Sequence, residues 1–153
     1  MKKESFTQPI TGTVEPLSAV GDEVFAKKLL GPGYAISFSG TQLLSPFAGT
    51  VIATFPAGHA FIVRRADGLE VLMHVGVNSA HRDEAFQAQV QKYQKVEAGQ
   101  VLTVVKPELF EPAQRWCMVV FSNPDLEVIL EDHTNEPPKE VAAGTSAAVR
   151  IIY

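Results

Sequence analysis

The sequence predicts an all-β protein, an antiparallel sandwich or barrel built from duplicated hairpin units, with one or two short helical turns. Eleven glycines and ten prolines separate short apolar runs, and these runs have the length of strands rather than of helices. Two different short motifs each occur twice, which is typical of a fold assembled from repeated supersecondary units. Hydrophobic residues make up 46% of the chain, enough apolar material to form a core.

Eight apolar runs are candidate strands, and their order along the chain gives the framework of the fold. The strands are predicted at 10–15, 34–38, 50–55, 59–65, 69–75, 101–105, 117–122 and 148–153. Apolar residues fall at helical spacing in 23–30 and in 83–91, which predicts a short helical turn in each segment. The stretch NPDLEVIL, which begins at Asn123, is compatible with either a turn or a strand.

The two repeated motifs are the reason to expect duplication. PITGTV at 9–14 recurs as PFAGTV at 46–51, and VEAG at 96–99 recurs as VAAG at 141–144. Each copy lies at or just before the start of a predicted strand. We therefore expect two similar hairpin units that pack as a sandwich or close into a barrel, an arrangement that hides the edges of the sheet.

Length, charge and cysteine usage narrow the class of protein. A chain of 153 residues is expected to form one domain, 1–153, in which residues 1–8 are flexible. The net charge of -4 is mixed along the chain, and no basic stripe is available to bind nucleic acid. The single cysteine, Cys117, rules out a disulfide framework within the chain and favours a reducing cytoplasm. Neither a signal peptide nor an apolar run of about 18 residues is present, so membrane insertion is not expected.

Two histidines on neighbouring predicted strands are the candidate site. The strands 59–65 and 69–75 flank Asp67-Gly68, a strong hairpin signal. A two-residue loop makes His59 a diagonal neighbour of His74, and a four-residue loop places the two directly opposite each other. A three-residue loop would put them on opposite faces. The even loops put His59, Phe61, Val63, Leu72 and His74 on one face, and Ala60, Ile62, Val71, Met73 and Val75 on a core face.

Two adjacent imidazoles are compatible with two kinds of chemistry. Zinc at His59 and His74 is one alternative, although a structural zinc site takes four protein ligands and a catalytic site three. Neither His81 nor His133 stands at an obvious ligand spacing. The other alternative needs no cofactor: one neutral ring acts as nucleophile and the second steadies the charge on a transferred group. A backbone carbonyl near Gly76 could fix the tautomer of the nucleophile, and the surrounding apolar side chains would dock a protein partner.

The residues around this pair resemble a known family, the glucose-type enzyme IIA of the bacterial sugar phosphotransferase system. The resemblance extends from Pro9 to Ile152. It is carried by GDEVFA at 21–26, LGPGYAI at 30–36, SPFAGTV at 45–51, FPAGHAF at 55–61, LMHVGV at 72–77, VEAG at 96–99, VVFSN at 119–123 and VRI at 149–151. The combination is specific because two motif histidines occur fifteen residues apart, in the right order and with the right flanking runs.

The resemblance implies an all-β sandwich that acts as a cytoplasmic phosphoryl carrier. The histidine matching His74 accepts a phosphoryl group from the histidine-containing phosphocarrier protein and passes it to a cysteine of the enzyme IIB domain of a sugar permease. The residue matching His59 stabilises the phosphoryl group, and the carbonyl matching Gly76 orients the acceptor ring. Regulatory targets are a further class of partner that we keep open. The positions expected to contact partners are Asp22, Phe25, Phe55, Phe61, Leu72 and Asn78.

Some residues depart from the family pattern and keep other functions open. Ala57 replaces a threonine two residues before His59, Asn78 replaces an acidic residue, and Pro32 and Ala48 stand where acidic residues are frequent. Such changes affect mainly association rate and partner choice. A regulatory or binding module that accepts no phosphate is therefore the first alternative, and a zinc hydrolase on a related barrel is the second. The sequence does not identify the sugar, because the permease binds it.

Overall fold

The computed structural model describes residues 3–21, 31–77, 82–123, 127–130 and 140–152. These residues form fourteen strands and four 3-10 helices, with no α-helix among them. The strands are β1 (Lys3–Thr7), β2 (Gly12–Pro16), β3 (Gly33–Phe38), β4 (Gln42–Leu44), β5 (Gly49–Thr54), β6 (Ala60–Arg64), β7 (Glu70–Val75), β8 (Phe86–Ala88), β9 (Lys95–Val96), β10 (Val101–Val105), β11 (Trp116–Phe121), β12 (Glu127–Leu130), β13 (Glu140–Val141) and β14 (Ser146–Ile152). The 3-10 helices are Leu17–Ala19, Asp83–Ala85, Pro107–Leu109 and Pro112–Gln114.

All eight predicted strands are present, with ends within two residues of the predicted ones, and the all-β prediction is confirmed. The strands without a prediction are β1, β4, β8, β9 and β13, and β12 resolves the choice left open after Asn123 in favour of a strand. None of these is longer than five residues, and β9 and β13 have two residues each. Segments this short carry too few alternating residues to give a periodic signal.

The short helical turn predicted in 83–91 is present, but it is confined to the first three residues of that segment. Within 83–91, only Asp83–Ala85 is helical, and the chain then continues as β8. Strand pairing explains why the helical turn ends there. Phe86 lies opposite Val105 of β10, and the hydrogen bonds and side-chain packing between these strands outweigh the helical spacing of the apolar residues. Residues 3–7, which belong to the segment 1–8 predicted to be flexible, form β1, and this strand pairs with β14 from Lys3 opposite Ile152. The helical turn predicted at 23–30 lies outside the described residues.

The strands are arranged in three antiparallel sheets that pack as a sandwich and do not close into a barrel. An eight-stranded sheet has the order β13-β2-β3-β11-β7-β6-β5-β9, and two three-stranded sheets have the orders β1-β14-β12 and β4-β10-β8. The barrel alternative is therefore wrong, since β13 and β9 remain separate ends of the large sheet. Both ends are short, which limits the unpaired edge available to another chain.

The repeated motifs occupy equivalent places at the two ends of the large sheet. Gly12 of β2 lies opposite Val141 of β13, and Gly49 of β5 lies opposite Val96 of β9. Each glycine also approaches a neighbouring strand closely: an added Cβ would lie 2.3 Å from the Ser37 carbonyl oxygen at Gly12, and 2.5 Å from the Arg64 carbonyl oxygen at Gly49. The duplication predicted from the sequence is thus a duplication of strand pairing.

Both faces of the large sheet carry packed apolar side chains, and this positions the candidate site. Its inner face packs with the two small sheets in the main core, which includes Val71, Met73 and Val75 of β7. Its other face carries a smaller cluster formed by Leu17, Val20, Ala35, Met118 and Val120, with half-buried Leu72, Val77 and Trp116 packed against it. Because side chains alternate along a strand, Leu72 and His74 lie on this second face.

Candidate functional site

The hairpin between β6 and β7 has a three-residue loop. Arg64 lies opposite Glu70, and the amide of Arg65 donates to the Leu69 carbonyl at 2.8 Å. The Gly68 amide donates back to the Arg65 carbonyl at 2.9 Å, and Gly68 has a φ of 96°. This is a turn closed by a left-handed glycine, one of the common hairpin connections. Asp-Gly favours this loop as well as the two-residue loop, so the motif does not decide between them.

The odd loop overturns the predicted assignment of faces. Ala60 lies opposite His74 and Phe61 opposite Met73, so Phe61 and Val63 face the main core. Phe61 is 0% exposed and cannot be part of a docking surface, which corrects its expected role in partner binding. By the same alternation, Ala60 and Ile62 share the second face with His74 rather than the core face.

The two histidine rings nevertheless meet, as predicted. Their centroids are 4.9 Å apart and their planes cross at 81°. A three-residue loop was expected to place the two histidines on opposite faces of the hairpin. They still meet because His59 precedes the first residue of β6, where strand alternation no longer fixes the side-chain direction. His59 follows a turn in which the Gly58 amide donates to the Phe55 carbonyl at 2.8 Å and Gly58 has a φ of 78°. The His59 carbonyl then accepts from the Val75 amide at 2.8 Å, which ties this turn to β7.

The two histidines differ in how deeply they are buried. His59 is 4% exposed, whereas His74 is half-buried. The Nδ1 atoms of both rings are shielded from solvent. Nε2 of His74 is consequently the nitrogen that an incoming group would approach. Gly76, which follows in the chain with a φ of 86°, donates its amide to the Trp116 carbonyl at 2.7 Å and so fixes the turn beside His74.

Two phenyl rings complete the surroundings of His59. Phe55, predicted from the sequence, lies 5.9 Å from the His59 ring centre to centre and is 38% exposed. Phe86, which the sequence reasoning missed, lies 6.1 Å away. It falls in the segment predicted to be helical, and no motif links it to the histidines. Leu72, also predicted, lies one alternation from His74 and is half-buried against the second cluster.

Several predicted residues lie outside the described part of the chain. These are Asp22, Phe25, Asn78, His81 and His133. Within the described ranges, no group of three or more histidine, cysteine or carboxylate side chains is placed to hold a metal ion. Cys117 is buried, and burial raises the pKa of its thiol to about 12. A thiol in this state is a poor ligand and a poor nucleophile. Among the described residues, no helix is long and apolar enough to cross a membrane.

Known proteins share both the sequence pattern and the fold. The family described as phosphoenolpyruvate-dependent sugar phosphotransferase system, EIIA 1, matches residues 4–126. The glucose-specific EIIBCA component of Corynebacterium glutamicum is 39% identical over 103 residues, which are 67% of this chain and 15% of that protein. The glucose-specific EIIA component of Mycoplasma capricolum is 36% identical over 98 residues, 63% of this chain and 64% of that one. The solved structure of glucose permease IIA from Mycoplasma capricolum superposes with a TM-score of 0.80 at 27% identity, covering 97% of this chain and 96% of the other.

Proposed function

Because this chain belongs to the EIIA 1 family of the phosphoenolpyruvate-dependent sugar phosphotransferase system, we propose that it is a glucose-type phosphoryl carrier with His74 as the acceptor. The observation that carries the proposal is the ring pair, with its 4.9 Å separation and near-perpendicular planes. A nucleophilic imidazole needs one fixed tautomer and a nearby group that stabilises the charge it receives. His74 and His59 meet these two needs on one face of the sheet.

The proposed reaction is two successive transfers at Nε2 of His74. In the first, Nε2 attacks the phosphorus of a phosphohistidine on the histidine-containing phosphocarrier protein, so that one phosphorus–nitrogen bond forms as the other breaks. In the second, a cysteine thiolate of an enzyme IIB domain attacks the phosphorus and His74 leaves as the neutral ring. The shielded Nδ1 of His74 supports this choice of nitrogen, because it leaves Nε2 as the reacting atom.

The neighbouring residues have distinct proposed roles. The carbonyl of Gly76 would accept from Nδ1–H of His74 and hold the tautomer in which Nε2 carries a lone pair. His59 would donate a hydrogen bond to a phosphoryl oxygen as charge develops there. The reaction as proposed needs no cofactor. Zinc at His59 and His74 belongs to the hydrolase alternative, and the metal content of protein purified without chelators tests it.

Partner binding would use the surface around the ring pair. Phe55, the more exposed of the two phenyl rings on His59, and Leu72 are the described residues we assign to docking, and Asp22, Phe25 and Asn78 are assigned from the family pattern. A relative whose name joins EIIA to B and C components in one chain supports an enzyme IIB domain as the acceptor. An action in the cytoplasm is part of the same proposal. The matched regions cover as little as 15% of such relatives, so the remaining activities of those proteins are not assigned to this chain.

The test is phosphoryl transfer from the purified donor chain with radiolabelled phosphoenolpyruvate. We expect acid-labile, base-stable label on one histidine, lost in His74→Ala and retained in His59→Ala, which should pass the label to enzyme IIB more slowly. His59→Ala is the matched control, because it removes an imidazole from the same site without removing the acceptor. Absence of label on the wild-type protein would favour the regulatory module instead, and label that survives in His74→Ala would exclude His74 as the acceptor.

A further inference from the structure

We propose that Phe86 is a positioning residue for phosphoryl transfer, because it holds the ring of His59 in place beside His74. The inference rests on the proposed function and adds to it a residue outside the histidine motifs. Phe86 touches neither reacting nitrogen in the proposed mechanism. Its effect would pass through His59, whose ring it meets at 6.1 Å between centroids and an angle of 52°.

The main chain of the His59 turn runs alongside the strand that carries Phe86. A Cβ added to Gly58 would lie 3.4 Å from the Cβ of Ala88 and 3.5 Å from the Cβ of Phe86. An added Cβ would therefore be at van der Waals distance from β8, so the turn before His59 runs alongside this strand with about one methyl group of space between them. The same strand thus lies beside the backbone that leads into His59 and contacts the ring of His59 through Phe86.

The side chain of His59 has few ways to move within this packing. Its ring is bordered by Phe55, Phe86 and His74, with centroid distances of 5.9, 6.1 and 4.9 Å. The two phenyl rings offer no conventional hydrogen bond, so they hold the imidazole by packing and by the preferred geometry of ring–ring contacts. Since His59 is 4% exposed, a change of its ring angle requires one of these neighbours to shift.

Phe86 is the more firmly held of the two phenyl rings. Phe55 is 38% exposed, whereas Phe86 is half-buried and packs on Phe110 at 5.7 Å. Phe110 in turn meets Phe38 edge-on at 6.1 Å. The guanidinium of Arg82 covers the Phe110 ring at 5.4 Å, and its Nη2 donates to the Leu109 carbonyl at 2.6 Å. This row of rings connects His59 to a buried part of the core, and Phe86 is the member of the row that contacts His59.

A small rotation of His59 is enough to matter for transfer. A hydrogen bond to a phosphoryl oxygen requires a donor within a few tenths of an ångström of its best position, and misplacement by about 1 Å can cost up to a hundredfold in rate. We therefore expect Phe86→Ala to slow phosphoryl transfer to enzyme IIB by about tenfold. Label should still appear on His74, because the acceptor nitrogen and its tautomer remain.

A double-mutant cycle on onward transfer distinguishes positioning from general damage. If Phe86 acts through His59, Phe86→Ala combined with His59→Ala should transfer no more slowly than His59→Ala alone. Phe86→Tyr, which keeps the ring, should retain a rate close to that of wild type. Phe38→Leu is the control, because it alters a buried ring of the same row that packs on Phe110, which in turn packs on Phe86. Additive losses, or an equal slowing in Phe38→Leu, would overturn the proposal.

A spectroscopic measurement decides the same point without any phosphoryl transfer. In ¹H–¹⁵N spectra of the histidine side chains, Phe86→Ala should shift and broaden the resonances of His59. Phe38→Leu should leave these resonances as they are in the wild-type protein. Unchanged His59 resonances in folded Phe86→Ala would exclude the positioning role even if phosphoryl transfer is fully confirmed. Conversely, wild-type protein that takes no label would refute the proposed function, while the spectra would still report whether Phe86 holds the ring.

Discussion

The two ends of the large sheet have the same construction but only one carries the candidate site. At one end β13, β2 and β3 are neighbours, and at the other β9, β5 and β6 are neighbours. The glycine that begins β2 and the one that begins β5 face equivalent valines in the same register. The difference lies in the connections: β5 and β6 are joined by residues 55–59 alone, whereas β2 and β3 are separated by residues 17–32.

This difference separates the part of the fold that arranges the strands from the part that forms the candidate site. The repeated glycine motif places strands, and it does so equally well where no histidine is present. The five-residue connection 55–59 places His59 outside the strand alternation, where its ring can reach His74. The duplicated strand pairing therefore provides a frame, and the short connection 55–59 adds the candidate site at one end of this frame.

The largest expected effect comes from breaking the frame at either end. Gly12→Ala and Gly49→Ala should each lower the free energy of unfolding by up to about 3 kcal/mol, because the new Cβ would overlap a carbonyl oxygen of the neighbouring strand. Urea denaturation measures the loss. Gly21→Ala is the control, since a Cβ there meets nothing within 4 Å. Similar losses at Gly12 and Gly49 would support equivalence of the two ends, and a neutral result at one of them would break it.

A smaller effect on stability, with a specific effect on transfer, is expected at the turn itself. Gly58→Ala should cost about 1–2 kcal/mol because its φ of 78° is unfavourable for a residue with a Cβ. It should also slow transfer to enzyme IIB, because relief of this backbone strain would shift the turn that leads into His59. Gly99→Ala is matched in φ, at 83°, but its Cβ would meet nothing within 4 Å. Gly99 lies outside this turn, so equal slowing in both variants would show that general destabilisation, rather than the position of the His59 turn, governs transfer.

The strand between the two ends gives a prediction that depends on pH. Cys117 of β11 lies opposite Ile36 of β3 on one side and Val75 of β7 on the other. Burial raises its pKa from 9.0 to about 12, so the folded state retains its proton more strongly than the unfolded state. Stability should therefore be intact below pH 9 and fall as pH rises towards 12. Cys117→Ala, which should cost about 1 kcal/mol at neutral pH, should lose stability less steeply over this range in urea titrations.

The smallest effect is expected at the hairpin tip, on the half that carries the site. Asp67 accepts from Arg65 at 2.9 and 2.8 Å, and this contact lowers the pKa of its carboxyl to about 2. A lowered pKa contributes stability above the ordinary value of about 4, and that contribution disappears as pH falls through 2. Because the pair is solvent-exposed, Asp67→Asn should change the free energy of unfolding by less than about 0.5 kcal/mol. A loss much above this at pH 7 would mean that the tip holds the register of β6 and β7.

The sequence predicted the strands and the contact between the two histidines better than it predicted the loop length and the side-chain directions of the hairpin that joins β6 and β7. Long apolar runs such as WCMVVF gave strands reliably, because burial on both faces leaves no other role for them. Asp67-Gly68 predicted a hairpin but not its loop length, since two- and three-residue loops use the same glycine. The faces of β6 were consequently reversed. Phe86 was beyond prediction because its contact with His59 depends on how two different sheets pack.

The pairing of β1 with β14 brings the two extremities of the described chain together, with Lys3 opposite Ile152. Neighbouring ends of this kind are characteristic of domains that accept insertion and circular permutation. A tether attached before Lys3 and one attached after Ile152 would leave the molecule from adjacent points. Because both tethers would begin at nearly the same point on the protein, the order of fusion would matter less than the length of the tether.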